Sequence, residues 1–85
     1  MNIIRLSYEC YDEMVRYAKS ELPNEACGLL AGKQDADGKE VLKVYYLTNT
    51  DHATDHFTID PKEQLAAVKD MRANGYVQLG NWHSH

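Results

Sequence analysis

A chain of 85 residues is long enough for one domain and no more, close to the size at which a single core gives only marginal stability. Hydrophobic residues make up 44% and charged residues 26%, a balance that points to a folded globular chain and away from disorder. A formal charge of −4, with no cluster of Lys or Arg on any short segment, excludes nucleic acid as the expected main partner.

The longest apolar run, residues 26–32, is too short to cross a bilayer. Met1-Asn2-Ile3-Ile4-Arg5-Leu6 has neither a basic flank before an apolar core nor a small-residue cleavage site. The expectation is therefore a cytoplasmic protein with no membrane contact. Cys10 and Cys27 allow one bridge at most and form no disulfide framework, so both are read as free thiols.

In chain order, Asn2 to Leu6 reads as a short strand. Ser7 follows as an N-cap, with Glu9 placed to favour the positive end of a helix. Tyr11, Met14, Val15, Ala18 and Leu22 recur at helical spacing from about Tyr8 to Leu22 and are read as a stripe facing the core. Pro23 stops that helix, because the residue before a proline is pushed out of helical geometry. A buried strand is expected from near Ala26 to Gly32, a turn at Asp35-Ala36-Asp37-Gly38, and a second strand from Val41 to Thr48, together a hairpin. Apolar residues on both faces of it predict a sheet covered at least partly on each side.

Asn49 to Phe57 is polar and reads as a loop. His52 and His56 within it are four apart and would share the face of a helix, but Thr50, Asp51, Thr54 and Asp55 are poor helix formers, so solvated loop histidines are the preferred reading. Asp60-Pro61-Lys62-Glu63 is a firm helix start: an aspartate N-cap, proline at the first helical position, and a glutamate for a capping-box-like closure. Leu65, Val68 and Met71, with Ala66 and Ala67, are expected to carry its buried side until Asn74-Gly75 ends it. Tyr76 to His85 is then the last strand. Regular alternation places Val77, Leu79, Asn81, His83 and His85 on one face and Tyr76, Gln78, Gly80, Trp82 and Ser84 on the other.

His83 and His85 are the residues with chemistry to offer, since same-face neighbours on a strand lie about 6.6 Å apart at Cα and two imidazoles there can converge on one metal ion. A catalytic zinc takes three protein ligands, and two histidines with a carboxylate is a common set. The alternative is a pair of ordinary strand histidines. A hydrolytic metal site also needs a base that is not a ligand. Glu25, just ahead of the buried strand, is the candidate; the alternative for it is a solvated loop glutamate.

Three blocks in order carry a resemblance. Glu25-Ala26-Cys27-Gly28-Leu29-Leu30-Ala31-Gly32 resembles the E-x-x-G-L-L-x-G opening strand of the JAB/MPN (JAMM) metalloprotease family. Phe57-Thr58-Ile59-Asp60-Pro61 is similar to its F-x-I-D-P entry into the second helix, and Gly80 with Trp82-His83-Ser84-His85 is similar to its G-x-W-H-S-H block. Nearly the whole chain is covered, most like the small stand-alone prokaryotic type. The resemblance implies an α/β fold with a mixed, largely antiparallel sheet flanked by helices, cytidine-deaminase-like, of which residues 1–85 form an incomplete domain lacking the C-terminal portion.

It also implies a zinc-dependent metallopeptidase or isopeptidase, with Glu25 as general acid and base and His83 and His85 as two zinc ligands. The family's remaining ligand, an aspartate, and a serine that binds the tetrahedral intermediate lie in a later S-x-x-D block, beyond His85. The 85 residues alone are therefore expected to bind zinc weakly and to be inactive. The implied substrate is a protein or peptide, such as a ubiquitin-like or sulfur-carrier protein. The competing reading is a non-catalytic MPN-type interaction module, against which the joint presence of Glu25, His83 and His85 argues. A third is an α/β domain matching by chance, against which three ordered blocks argue. A sheet edge left open beside His83 would recruit further chains; self-association is expected, and a strictly monomeric sedimentation profile at high concentration would refute it.

Overall fold

The hairpin signalled by the Asp35 to Gly38 turn is the frame on which the sheet is built. The computed structural model describes residues 3–50 and 58–84. It runs β1 (Ile3–Arg5), α1 (Tyr8–Glu21), β2 (Cys27–Gln34), β3 (Gly38–Leu47), α2 (Pro61–Ala73) and β4 (Val77–His83). The strands lie in the order β1-β3-β2-β4, with β1 parallel to β3 and β2 antiparallel to both β3 and β4. This is the mixed α/β architecture expected from the resemblance.

At the turn, Asp35 and Gly38 exchange backbone hydrogen bonds of 2.9 and 3.3 Å, and Asp35 Oδ1 accepts from the N–H groups of Asp37 and Gly38. Because the turn is this tight, β3 begins at Gly38 and not at Val41. Glycine is required there: its φ is +153°, and a Cβ would lie 2.0 Å from the carbonyl oxygen of Ile3 on the adjoining β1.

Both helix starts form as their sequences dictate. Ser7 Oγ accepts from Cys10 N–H at 3.1 Å, and Asp60 Oδ1 accepts from Lys62 N–H at 2.9 Å with Pro61 opening α2. Glu63 departs from the expected capping box. Its Oε1 accepts from the Thr48 N–H at 2.9 Å, so the carboxylate ties the start of α2 to the end of β3.

The core lies between α2 and one face of the sheet. Cys27, Leu29 and Ala31 of β2 meet Leu47 of β3 and Ala67 and Met71 of α2, with Tyr45, Ile59 and Tyr76 packed around them. Only Ala67 and Met71 of α2 are buried, and Leu65, expected in the core, is 56% exposed. Asp70 fastens the same helix from outside: Lys43 Nζ and Tyr45 Oη both donate to its Oδ2 at 2.6 Å, and Lys43 holds the carboxyl below its usual range.

On the other face, α1 corrects a second expectation. None of its residues is buried; Met14, Val15 and Ala18 are half-buried, while Tyr11 and Leu22 are exposed. The helix docks through a residue outside the predicted stripe. The Tyr17 ring packs 4.8 Å from Tyr46 of β3 and 6.2 Å from Trp82 of β4, and its hydroxyl donates to Leu47 O at 3.2 Å. Burial, and next the neighbouring Glu21 carboxylate, push the Tyr17 pKa up to about 12. Aromatic rings reach further than aliphatic side chains, which holds α1 off the sheet and leaves its aliphatic stripe only partly covered.

The alternation expected along β4 also fails at one point. Gly80 pairs with Leu30 but Gln78 pairs with Ala31, so Leu79 is a bulged residue. Asn81 and His83 face the α2 side, as do Gln78 and the core residue Tyr76, whereas Val77, opposite Gly32, joins the Trp82 face. The carbonyl of Leu79 is taken up by Lys39 Nζ at 3.1 Å. A matching register shift lies on the other side of β2, between Ala31 and Gly32 in its pairing with β3. Paired shifts on both flanks increase the local twist of the sheet.

These placements separate two residues of similar apparent weight in the sequence. Met71→Ala is expected to lower unfolding free energy by about 3 kcal/mol, as buried large-to-small changes do, and Leu65→Ala by less than about 1 kcal/mol. Urea denaturation of both variants checks this, and equal losses would contradict the packing described.

Candidate active site

The strand registers decide which side chains meet. Cys27, the first residue of β2, pairs with Leu47 on one side and with His83 on the other. Glu25, two residues before Cys27, therefore comes to the same end of the sheet as the last residue of β4. His83 Nδ1 stands 2.5 Å from Glu25 Oε1. Two residues 58 positions apart in the chain, chosen from the sequence for their chemistry, are thus in direct contact. His85, His52, His56, Asp51 and Asp55 lie outside the described residues.

The two partners differ sharply in exposure. The Glu25 side chain is 1% exposed and that of His83 40%. A carboxylate so buried carries a large desolvation cost that its contacts must offset. Oε1 has His83, while Oε2 is buried with no hydrogen-bond partner among the described residues. A buried carboxylate oxygen without a donor among the described residues, beside an imidazole open to solvent, is an arrangement that calls for an explanation.

The backbone around Glu25 is held from two directions. Ala26 and Ser84 are joined twice: Ser84 N–H donates to Ala26 O at 2.9 Å, and Ala26 N–H donates to Ser84 Oγ at 2.9 Å. Asn49, 4% exposed, donates from Nδ2 to the Glu25 carbonyl at 3.0 Å and accepts at Oδ1 from Thr58 N–H at 3.1 Å. Alternation puts Ser84 on the face away from His83, and Asn49 falls at the start of a polar loop, so the sequence predicts neither contact. No local pattern betrays them, since each acts across a long chain separation.

Gly28 completes the support. A Cβ there would sit 1.9 Å from Tyr45 O and 2.5 Å from Trp82 Nε1, so the indole lies directly on the β2 backbone. Trp82 neighbours His83 in sequence and faces the opposite side, against Tyr17 and Tyr46. Cys27, although paired with His83, does not offer a reactive thiolate: burial pushes its pKa up, and its Sγ lies 3.6 Å from Leu47 O. Both cysteines are free thiols.

Among the described residues, no three His, Cys, Asp or Glu side chains form a metal-binding group. The donor chemistry nevertheless fits a divalent ion such as zinc, since an accessible imidazole stands beside a carboxylate whose second oxygen has no donor among the described residues. His83 would hold the ion, joined in sequence by His85.

A family model described as prokaryotic homologs of the JAB domain matches residues 7–85. The chain belongs to this prokaryotic JAB family. Similar curated proteins include the CysO-cysteine peptidase of Mycobacterium tuberculosis, 29% identical over 83 residues that cover 98% of this chain and 56% of the relative. The desampylase of Pyrococcus furiosus is 34% identical over 61 residues, 72% of this chain and 41% of the relative. A protein of Desulfitobacterium hafniense with a known solution structure is 54% identical and superposes with a TM-score of 0.89, covering 98% of this chain and 57% of its own. The JAB chain described here spans about half the length of the curated relatives it matches.

The double link between Ala26 and Ser84 yields a prediction. Ser84→Ala leaves the Ala26 N–H without its acceptor, a loss of about 1–3 kcal/mol. The Ala26 amide is expected to exchange with solvent at least about tenfold faster, measured by NMR hydrogen exchange. Unchanged protection would show that Ser84 Oγ does not hold this strand.

Proposed function

We propose that this protein is a zinc-dependent peptidase or isopeptidase of the JAMM type, acting on a peptide or isopeptide bond of a ubiquitin-like or sulfur-carrier protein. The observation that supports it most is the contact between the buried Glu25 carboxylate and the exposed His83 imidazole. The names of the two relatives, a CysO-cysteine peptidase and a desampylase, support hydrolysis of a protein substrate.

A bound zinc ion would supply Lewis acidity to this site. His83 and His85 would hold it. Glu25, shielded from bulk water, takes the proton of the attacking water and returns it to the departing amine, the two halves of general acid–base catalysis by one carboxylate. Its burial keeps competing water away from the proton being moved. The Ser84 and Asn49 contacts keep the segment carrying it in place. We further propose that residues 1–85 alone bind zinc weakly and do not turn over, because two imidazoles make an exchangeable site that needs a third ligand.

The test is made in the protein extended to a complete ligand set, with a ubiquitin-like fusion as substrate. Cleavage is expected to require zinc. Glu25→Gln should lower kcat by about 10²-fold or more while retaining zinc, and His83→Ala should lose the metal, measured by bound-zinc stoichiometry. Full cleavage by Glu25→Gln, or cleavage undiminished by a chelator, would overturn the assignment.

A further inference from the structure

We infer that Asn49 is a positioning residue for Glu25, acting through the main-chain carbonyl of the glutamate and linking it to the segment that joins β3 to α2. The inference rests on the reading of Glu25 as the general acid and base, but its central measurement does not depend on turnover.

Glu25 precedes β2, which starts at Cys27, and so lies outside the paired length of that strand. Its carboxylate must nevertheless stay within 2.5 Å of His83 Nδ1. On the far side of Glu25 the amide of Ala26 is fixed by Ser84 Oγ. The peptide group between Glu25 and Ala26 thus has its N–H held by Ser84, the residue after β4, and its C=O held by Asn49 Nδ2. A peptide unit is planar, so anchoring both of its polar ends fixes its orientation. That plane contains the Glu25 Cα, so the point from which the side chain departs is held in place.

Asn49 is suited to this task and costly to replace. It is buried, and it satisfies groups on two segments: its Nδ2 serves Glu25, and its Oδ1 accepts from Thr58 N–H. It also forms an isolated bridge with Ile59, and beside it Thr50 N–H and Thr50 Oγ1 both reach the Thr58 carbonyl, at 2.8 and 3.0 Å. The base of the β3 to α2 connection is therefore closed by these bonds, and Asn49 is the member of the closure that reaches the glutamate. Aspartate has the same shape and keeps the acceptor for Thr58, but it loses the donor to Glu25. Thr50→Ala does the reverse, loosening the closure without touching the donor.

The experiment is ¹⁵N NMR of the His83 imidazole, with Glu25→Gln as the reference for a lost contact. Asn49→Asp and Asn49→Ala are each expected to move the His83 Nδ1 resonance at least halfway to that reference, and Thr50→Ala to leave it in place. In the active protein the Asn49 variants should lose about 10- to 100-fold in kcat with little change in KM, as displacement of a base requires. A His83 signal unmoved in the Asn49 variants, or moved equally by Thr50→Ala, would overturn the inference. If Asn49→Asp does not fold, the wild type carries the test: one Asn49 Hδ2 proton must exchange at least about tenfold slower than those of the exposed Asn81, and equal exchange would defeat the claim. Activity that survives Glu25→Gln would instead sink the catalytic reading and leave the placement of Glu25 by Asn49 standing.

Discussion

A carboxylate taken out of water beside an imidazole left in it is the interaction on which this structure turns. Burying Glu25 costs several kcal/mol unless the surroundings compensate, and among the described residues the compensation is one-sided: His83 at one oxygen and no donor at the other. Such a group is weak support for stability. Much of the fold can be understood as the apparatus that keeps it there. The register of β2 against β4 sets the distance, and Ser84 and Asn49 hold the intervening peptide. The core under Cys27 and Leu29 stops the strand from moving.

The two faces of the sheet contribute differently. On the α2 side the contacts are small and tightly buried, with Ala31, Ala67 and Cys27 letting helix and sheet approach closely. On the α1 side Tyr17, Tyr46 and Trp82 meet in tilted and edge-on contacts, with the Trp82 indole over Gly28, and keep the helix at arm's length. Trp82 lies in that second layer while its neighbour His83 turns to the first. The His83 imidazole is thereby backed by a large, rigid anchor one residue away, which restricts the strand from the opposite face.

Features governed by neighbouring residues were legible in the sequence. Ser7 and Asp60 cap their helices, Pro61 opens α2, and Asp35 with Gly38 makes the hairpin, because each rule operates within a few residues. The meeting of Glu25 with His83 was also within reach, through chemistry and the order of three blocks. What escaped was set by the third dimension. The α1 stripe looked apolar enough for a core, yet Tyr17 outside it makes the contact, and periodicity cannot weigh ring size against alternation. Glu63 fitted a capping box but found a better-placed donor in Thr48. Asn49 reads as one more loop residue until the partner carbonyl, 24 positions earlier, is known.

The bulge at Leu79 carries a further consequence. Tyr76 and His83 are an odd number of positions apart, and in a regular strand an odd separation sends two side chains to opposite sides. Here both serve the same side, one filling the core beneath α2 and the other meeting Glu25. The supernumerary residue resets the phase of the strand midway, so that each half can satisfy its own neighbours. Excising it would force a choice between anchoring the strand and presenting the imidazole.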